Sequence, residues 1–247
     1  MSQIKTIVMK FGGTSVAEES ARALMVRHIL REIEDGFKVL VVVSAMGRLG
    51  AAYATDTLGA LVSDKISPRE SDQLLSCGEV ISSIVTSDLV RSHGLNATSL
   101  APVEIGIITD TNHTDAHILI IDTKDLLDKF EVYDVLIAPG FIGISEEGFI
   151  TTLGRGGSDT SAIALGASLR AEFVDIYSDV IGIMSADPKT NPDAQLIPEI
   201  TYDELIALAE AGAKIIHLKA IKLAKDCEVS IRFRSTFEDF VGTVVKS

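Results

Sequence analysis

The sequence predicts an α/β fold with a mostly parallel sheet covered by helices on both faces. Two observations carry that prediction. Short β-branched runs such as 38–43 and 134–138 are apolar without alternation, as strands buried on both faces are. Between them lie longer segments with apolar residues at helical spacing, and strand–helix–strand repetition means right-handed crossovers in one sheet.

Taken in order, residues 4–9 read as the first strand. Residues 17–35 read as a helix, with Ala21, Leu24, Met25, His28, Ile29 and Ile33 on one stripe and Asp35-Gly36 as its stop. A strand follows at 38–43, then a long helix at 71–94 ending at His93-Gly94. Short strands fall at 97–101 and 106–109, a helix at 123–130 and a strand at 134–138. The second part has a helix at 158–171, a strand at 173–178, a loop at 187–198, helices at 201–211 and 217–226, and strands at 229–233 and 243–245. The character changes near Gly157, which divides residues 1–247 into an N-lobe of about 1–157 and a C-lobe of about 158–247 within one domain.

The 247 residues carry 22 Lys+Arg against 35 Asp+Glu, a net charge of −13 and a pI near 4.8. So acidic a field repels nucleic acid and anionic membrane. With 47% apolar and 23% charged residues the chain is globular. The first residues, Met1 to Lys5, do not read as a secretory leader, and the longest aliphatic run near the start, residues 39–43, is too short for a bilayer. Cys77 and Cys227 make no disulfide framework and read as reduced thiols of a cytoplasmic protein. Of the five histidines only His113 and His117 lie close together, and a hairpin or surface role outweighs a metal site.

The chemistry-bearing signal is in the loops. Met9-Lys10 runs into Phe11-Gly12-Gly13-Thr14-Ser15, Val43 into Ser44-Ala45-Met46-Gly47, Ala138 into Pro139-Gly140-Phe141-Ile142-Gly143, and Tyr177 into Ser178-Asp179. At the carboxyl edge of a parallel sheet such loops line one crevice, where glycine lets backbone amides approach a ligand. Thr151-Thr152-Leu153-Gly154-Arg155-Gly156-Gly157-Ser158-Asp159 leads into a helix and joins glycines, a helix N-terminus and an arginine fork in an anion site. Neither the Walker A pattern nor the dinucleotide fingerprint is present.

In this order the loops resemble the aspartate kinases of the amino acid kinase family, together with Ala186-Asp187-Pro188-Lys189 and Gly212-Ala213-Lys214-Ile215-Ile216-His217. The resemblance runs the length of the chain. It implies a three-layer αβα sandwich, carbamate kinase-like, and transfer of the γ-phosphoryl group of ATP to the β-carboxylate of L-aspartate. The product, 4-phospho-L-aspartate, leads toward lysine, threonine, methionine and diaminopimelate. The resemblance gives Lys10 and Asp159 catalytic roles. It assigns Thr14, Ser44, Glu79, Arg155 and Ser158 to the substrate, Glu79 holding its ammonium and Arg155 a carboxylate. Lys10, Gly12, Gly13, Ser178, Asp179, Met184, Lys189 and Lys214 go to the nucleotide, with Mg²⁺ arriving on its phosphates and no protein metal site.

Departures from the family pattern fall mostly on the nucleotide side: Ser178 for Thr, Met184 for an aromatic residue, Lys189 for Arg, and Leu218 for Pro. Thr160 stands where a Tyr often follows the Ser-Asp pair, and 48–54 reads as an insertion. Aspartate kinases usually continue into ACT domains that bind lysine or threonine. Here the chain stops at Ser247, so the expectation is no feedback within it, with a separate ACT-bearing subunit as a partner and a homodimer as the assembly. Two other readings are a kinase of this fold with a different carboxylate acceptor, and a non-catalytic nucleotide- or amino-acid-binding regulator. Arg155 and Glu79 favour a zwitterion with an extra carboxylate, and the retained Lys10 and Asp159 favour catalysis.

Overall fold

The computed structural model describes residues 4–186, 191, 193–213 and 215–246. In chain order the elements are β1 (Thr6–Phe11), α1 (Gly13–Ala17), α2 (Glu19–Glu34), β2 (Lys38–Val43), α3 (Thr55–Gly59), α4 (Pro68–Ser92) and β3 (Ala97–Ser99). A 3₁₀ turn at Pro102–Ile105 leads to β4 (Ile107–Thr109), β5 (Ile118–Ile121), α5 (Lys124–Phe130), β6 (Val135–Pro139), β7 (Ile142–Ser145) and β8 (Ile150–Thr152). Then come α6 (Gly157–Leu169), β9 (Val174–Ser178), β10 (Glu199–Thr201), α7 (Tyr202–Glu210), α8 (Leu218–Asp226), β11 (Ile231–Ser235) and β12 (Val241–Lys246).

The main sheet has 8 strands in the order β10-β12-β11-β9-β1-β2-β6-β3. It is parallel throughout except for the β11–β12 pair. Strand alternation sorts its side chains into two cores. Ile7, Met9, Phe11, Val39, Val41 and Val43 pack with Met25, Val26 and Ile29 of α2 and Val90 of α4. On the other face Val8, Leu40, Val42 and Leu136 pack with Ile163 and Leu165 of α6 and with α7 and α8. The result is the predicted three-layer αβα arrangement. Each fully buried aliphatic contributes roughly 1.5–3 kcal/mol. Lys10 shares the alternation of Val8, so the pleat aims it toward the α6 side.

Several expectations are corrected. The helix expected over 17–35 is two helices, broken at Glu18 in extended conformation (φ −107°, ψ 153°). Arg22 Nη1 donates to the Val16 and Ala17 carbonyls at 2.8 Å each, which caps α1 and lets it turn Gly13–Ser15 into the site. A second sheet of 4 strands, β5-β4-β7-β8, was not anticipated beyond the β4 segment. It makes 142–145 and 150–152 a hairpin, so Thr151-Thr152 is strand where loop was expected. His113 and His117 fall in the turn between β4 and β5, as a hairpin role requires. The long helix starts at Pro68, three residues before the periodicity predicts, on a capping box between Ser67 and Glu70. The loop expected at 187–198 lies partly outside the described residues. Among the described residues no helix is long and apolar enough to cross a membrane.

Candidate active site

The carboxyl ends of β9, β1, β2 and β6 are neighbours in the sheet, so their following loops share one edge. Lys10 is nearly buried there, with Nζ 2.7 Å from Asp159 Oδ1. Asp159 lies in the first turn of α6, where the helix dipole favours an anion. The pair holds an ammonium at the strand edge with only a tenth of each side chain exposed.

Around it the glycine loops interlock. Gly12 sits between Lys10 Nζ and the Tyr177 carbonyl, since a Cβ there would lie 3.7 and 3.8 Å from them. Gly13 packs so closely on the carbonyls of Gly47 and Ala45 that a Cβ would approach within 2.6 and 2.9 Å. The Gly13 carbonyl accepts from the Gly47 amide at 2.9 Å, and the Ser44 amide donates to the Phe11 carbonyl at 3.1 Å. Gly140 abuts Ser158. The structure therefore brings Lys10, Gly12, Gly13, Ser44, Ser158 and Asp159 together, with half-buried Thr14 at the head of α1.

Glu79 projects from the buried face of α4 and accepts from the Ala45 amide at 3.1 Å through Oε1, while Oε2 has no partner among the described residues. Burial pushes its carboxyl up to about 8, against the pull of that amide hydrogen bond. An ammonium brought against Oε2 would let Glu79 ionise. The sign of the stability effect follows. With the folded pKa above the ordinary 4.5, stability is full below about 4.5 and is lost as pH rises toward 8. Glu79→Gln should therefore match the parent near pH 4.5 and exceed it at pH 8 by a few kcal/mol. Thermal denaturation at the two pH values checks this, and a difference that does not grow with pH would contradict it.

Arg155 is exposed between Gly154 (φ 72°) and Gly156 (φ 71°), two left-handed turns that swing its backbone outward. Among the described residues it has no carboxylate partner. Gly156 is the N-cap of α6 and lies against His217, whose Cβ would be 2.3 Å from an added Cβ. Ser178 ends β9 and Asp179 follows it, directly beside the Gly12 loop. Asp179 Oδ2 lies 3.4 Å from Arg48 Nη2, a bridge between two site loops that the sequence reading missed. Met184 is not drawn to this cluster by any described contact and instead forms a β-bridge with Leu196. Lys189 and Lys214 lie outside the described residues.

An edge built this way fits an ionised substrate and a phosphoryl donor. A held lysine ammonium and backbone donors meet there, which is the positioning and charge neutralisation that phosphoryl transfer asks for. The Amino acid kinase family matches over residues 5–235, and the chain belongs to it. Aspartokinase 1 of Bacillus subtilis is 47% identical over 247 residues, 99% of this chain and 61% of its own length. The aspartokinase of Geobacillus stearothermophilus is 42% identical, covering 97% of this chain and 58% of its own length. The chain thus spans about 60% of the curated relatives it matches. Among solved structures, aspartate kinase from Synechocystis superposes with a TM-score of 0.86 at 38% identity, over 98% of this chain and 40% of the other. E. coli aspartokinase III in complex with aspartate and ADP gives 0.82 at 25%, over 98% and 65%.

Proposed function

We propose that this domain transfers the γ-phosphoryl group of ATP to the side-chain carboxylate of L-aspartate, giving 4-phospho-L-aspartate and ADP. The observation that carries the reading is the Lys10–Asp159 pair at the carboxyl edge of β1, with Glu79 buried nearby and one of its oxygens unpartnered. The aspartokinase names of the relatives, and the solved relative holding aspartate and ADP, support it.

In this reading a carboxylate oxygen attacks the γ-phosphorus, one O–P bond forms, and the bond to the β,γ-bridging oxygen breaks with its electrons leaving on ADP. The acceptor is already ionised near neutrality, so no general base is needed. Lys10 neutralises charge on the transferring group while Asp159 fixes the ammonium. Glu79 takes the substrate ammonium and Arg155 a substrate carboxylate, with Thr14, Ser44 and Ser158 lining the acceptor. Gly12 and Gly13 offer backbone donors to the nucleotide, and Ser178 and Asp179 face its ribose and base. Met184, Lys189 and Lys214 complete the nucleotide side.

Mg²⁺ would arrive on the ATP phosphates with waters retained. The setting we propose is a cytoplasmic homodimer.

A coupled ADP-release assay with aspartate, glutamate and N-acetylglutamate as acceptors tests the reaction, with hydroxylamine trapping the acyl phosphate. ADP release that requires aspartate and yields aspartyl hydroxamate is the expected result. Release with another acceptor only, or with none, would overturn it.

A further inference from the structure

The turn between β4 and β5, residues 110–117, contributes nothing to the site as described, yet it is tied down on every side. Its anchor is Asp72, fully buried in the second turn of α4. One oxygen of Asp72 accepts from His113 Nδ1 at 2.7 Å, and the other accepts from Thr152 Oγ1 at 2.5 Å. The Thr114 amide donates to both, at 3.0 and 3.1 Å. No Lys or Arg among the described residues pairs with this carboxylate, so hydrogen bonds alone offset its burial. Thr114 adopts φ 73°, a left-handed conformation that a β-branched residue takes only under compulsion. Backbone strain of this kind is characteristically held where geometry has to be fixed.

The other side of the turn grips the chain just before Arg155. The Ala116 amide donates to the Thr152 carbonyl at 2.8 Å. Asp115 packs so tightly on Gly154 that a Cβ there would fall 2.4 Å from Oδ1. The same oxygen accepts from Lys219 Nζ of α8 at 3.4 Å. Thr152 and Gly154 are thus clamped by one turn, and the next residue is Arg155.

Asp72 and Glu79 are seven residues apart, two turns of one helix, and both lie on its buried face. The middle of α4 holds the carboxyl assigned to the substrate ammonium, and its N-terminal part holds the loop assigned to a substrate carboxylate. We infer that Asp72, through His113, Thr114 and Thr152, is a positioning residue that fixes Arg155 relative to Glu79 and so sets the acceptor length the site accepts. The inference rests on the proposed aspartate kinase reaction. It makes α4 a rigid ruler between the two ends of the substrate. Aspartate and glutamate differ by one methylene, so a loosened ruler should cost aspartate affinity and discrimination while sparing the nucleotide.

The test is steady-state kinetics of the whole chain with Asp72→Asn and Thr152→Val. Asn keeps the shape and loses the charge, and Val removes one donor from an otherwise intact strand. Both variants should raise KM for aspartate, roughly tenfold for Asp72→Asn, because displacing a binding group by an ångström is costly. KM for ATP should stay unchanged, kcat should change less than KM for aspartate, and the aspartate-to-glutamate ratio of kcat/KM should fall. Unchanged KM for aspartate in Thr152→Val, or parallel rises in both KM values with a lowered Tm, would show a merely structural role and overturn the inference. If Asp72→Asn fails to fold, Thr152→Val decides alone. A parent chain without aspartate-dependent ADP release would instead sink the proposed function, so the two failures are distinguishable.

Discussion

Lys10→Met should lower aspartate-dependent ADP release by about 10³-fold or more while leaving the chain folded. The size follows from where the ammonium stands. It stands one residue before the end of β1 at the sheet's ligand edge, 2.7 Å from Asp159 and almost out of water. A preorganised cation that meets charge on a transferring phosphoryl group is typically worth 10²–10⁵-fold, roughly the span between one oxyanion donor and an arginine finger. Methionine keeps the stem of the side chain, so packing beside Val8 and α6 is retained and the charge alone is lost. Asp159→Asn should cost less, since Lys10 keeps its charge and loses only its orientation. The double variant should then be little worse than Lys10→Met, because Asp159 acts through Lys10. The measurement is kcat of the three variants with circular dichroism to show folding. A Lys10→Met enzyme within tenfold of the parent would remove Lys10 from the chemistry.

Lys10 stood out in the sequence because it interrupts an apolar strand just before paired glycines, whereas the role of Asp159 beside it came from the family resemblance. The same physics made β1, β2, β6 and β9 legible. All four are buried on both faces: β2 from Val39 on and β6 read as unbroken apolar runs, and β1 and β9 keep that character around Lys10 and Asp175. The second sheet was hidden for opposite reasons. β5 is an edge strand whose Leu119 and Ile120 are exposed, so no periodicity marks its buried side. β7 contains Gly143, which reads as a turn. Its role is close approach, since a Cβ there would lie 2.4 Å from Thr109 Cγ2. The break at Glu18 has neither proline nor glycine, and Arg22 enforces it through tertiary capping. Asp72 escaped notice because a carboxylate on an amphipathic helix reads as solvent-facing, and the buried face of α4 is itself polar, with Ser76, Ser82, Ser83, Thr86 and Ser87. Glu79 shares that face, and only the family resemblance gave it a role.

Asp175→Ala should destabilise the fold by about 3–5 kcal/mol, a drop in Tm on the order of 10 °C. Asp175 is fully buried in β9, opposite Arg232 of β11 in the parallel register. Arg232 grips it through Nε at 2.6 Å and Nη2 at 2.8 Å, and Arg234 Nη1 reaches it at 3.1 Å. Glu32 of α2 completes the group, 3.1 Å from Arg234 and 3.5 Å from Arg232. Phe173 and Tyr177 lie under the guanidiniums at 4.1 and 5.4 Å. Removing Asp175 leaves two desolvated cations facing one carboxylate, and it is this uncompensated charge that costs so much. The two acids are not equivalent. Burial, and then the neighbouring Asp175, raise the Glu32 carboxyl above its ordinary value, and the two guanidiniums only partly offset this. The fold therefore holds the Glu32 anion at a disadvantage, and Glu32→Gln should cost well under half of Asp175→Ala. Chemical denaturation of the two variants at neutral pH measures the difference. Equal losses would mean that the four charges act as an indivisible unit. Because β9 carries Ser178 and Asp179 at its end, the Asp175 variant should also weaken ATP more than aspartate at temperatures where it remains folded. A change confined to aspartate would detach this buried cluster from the nucleotide edge.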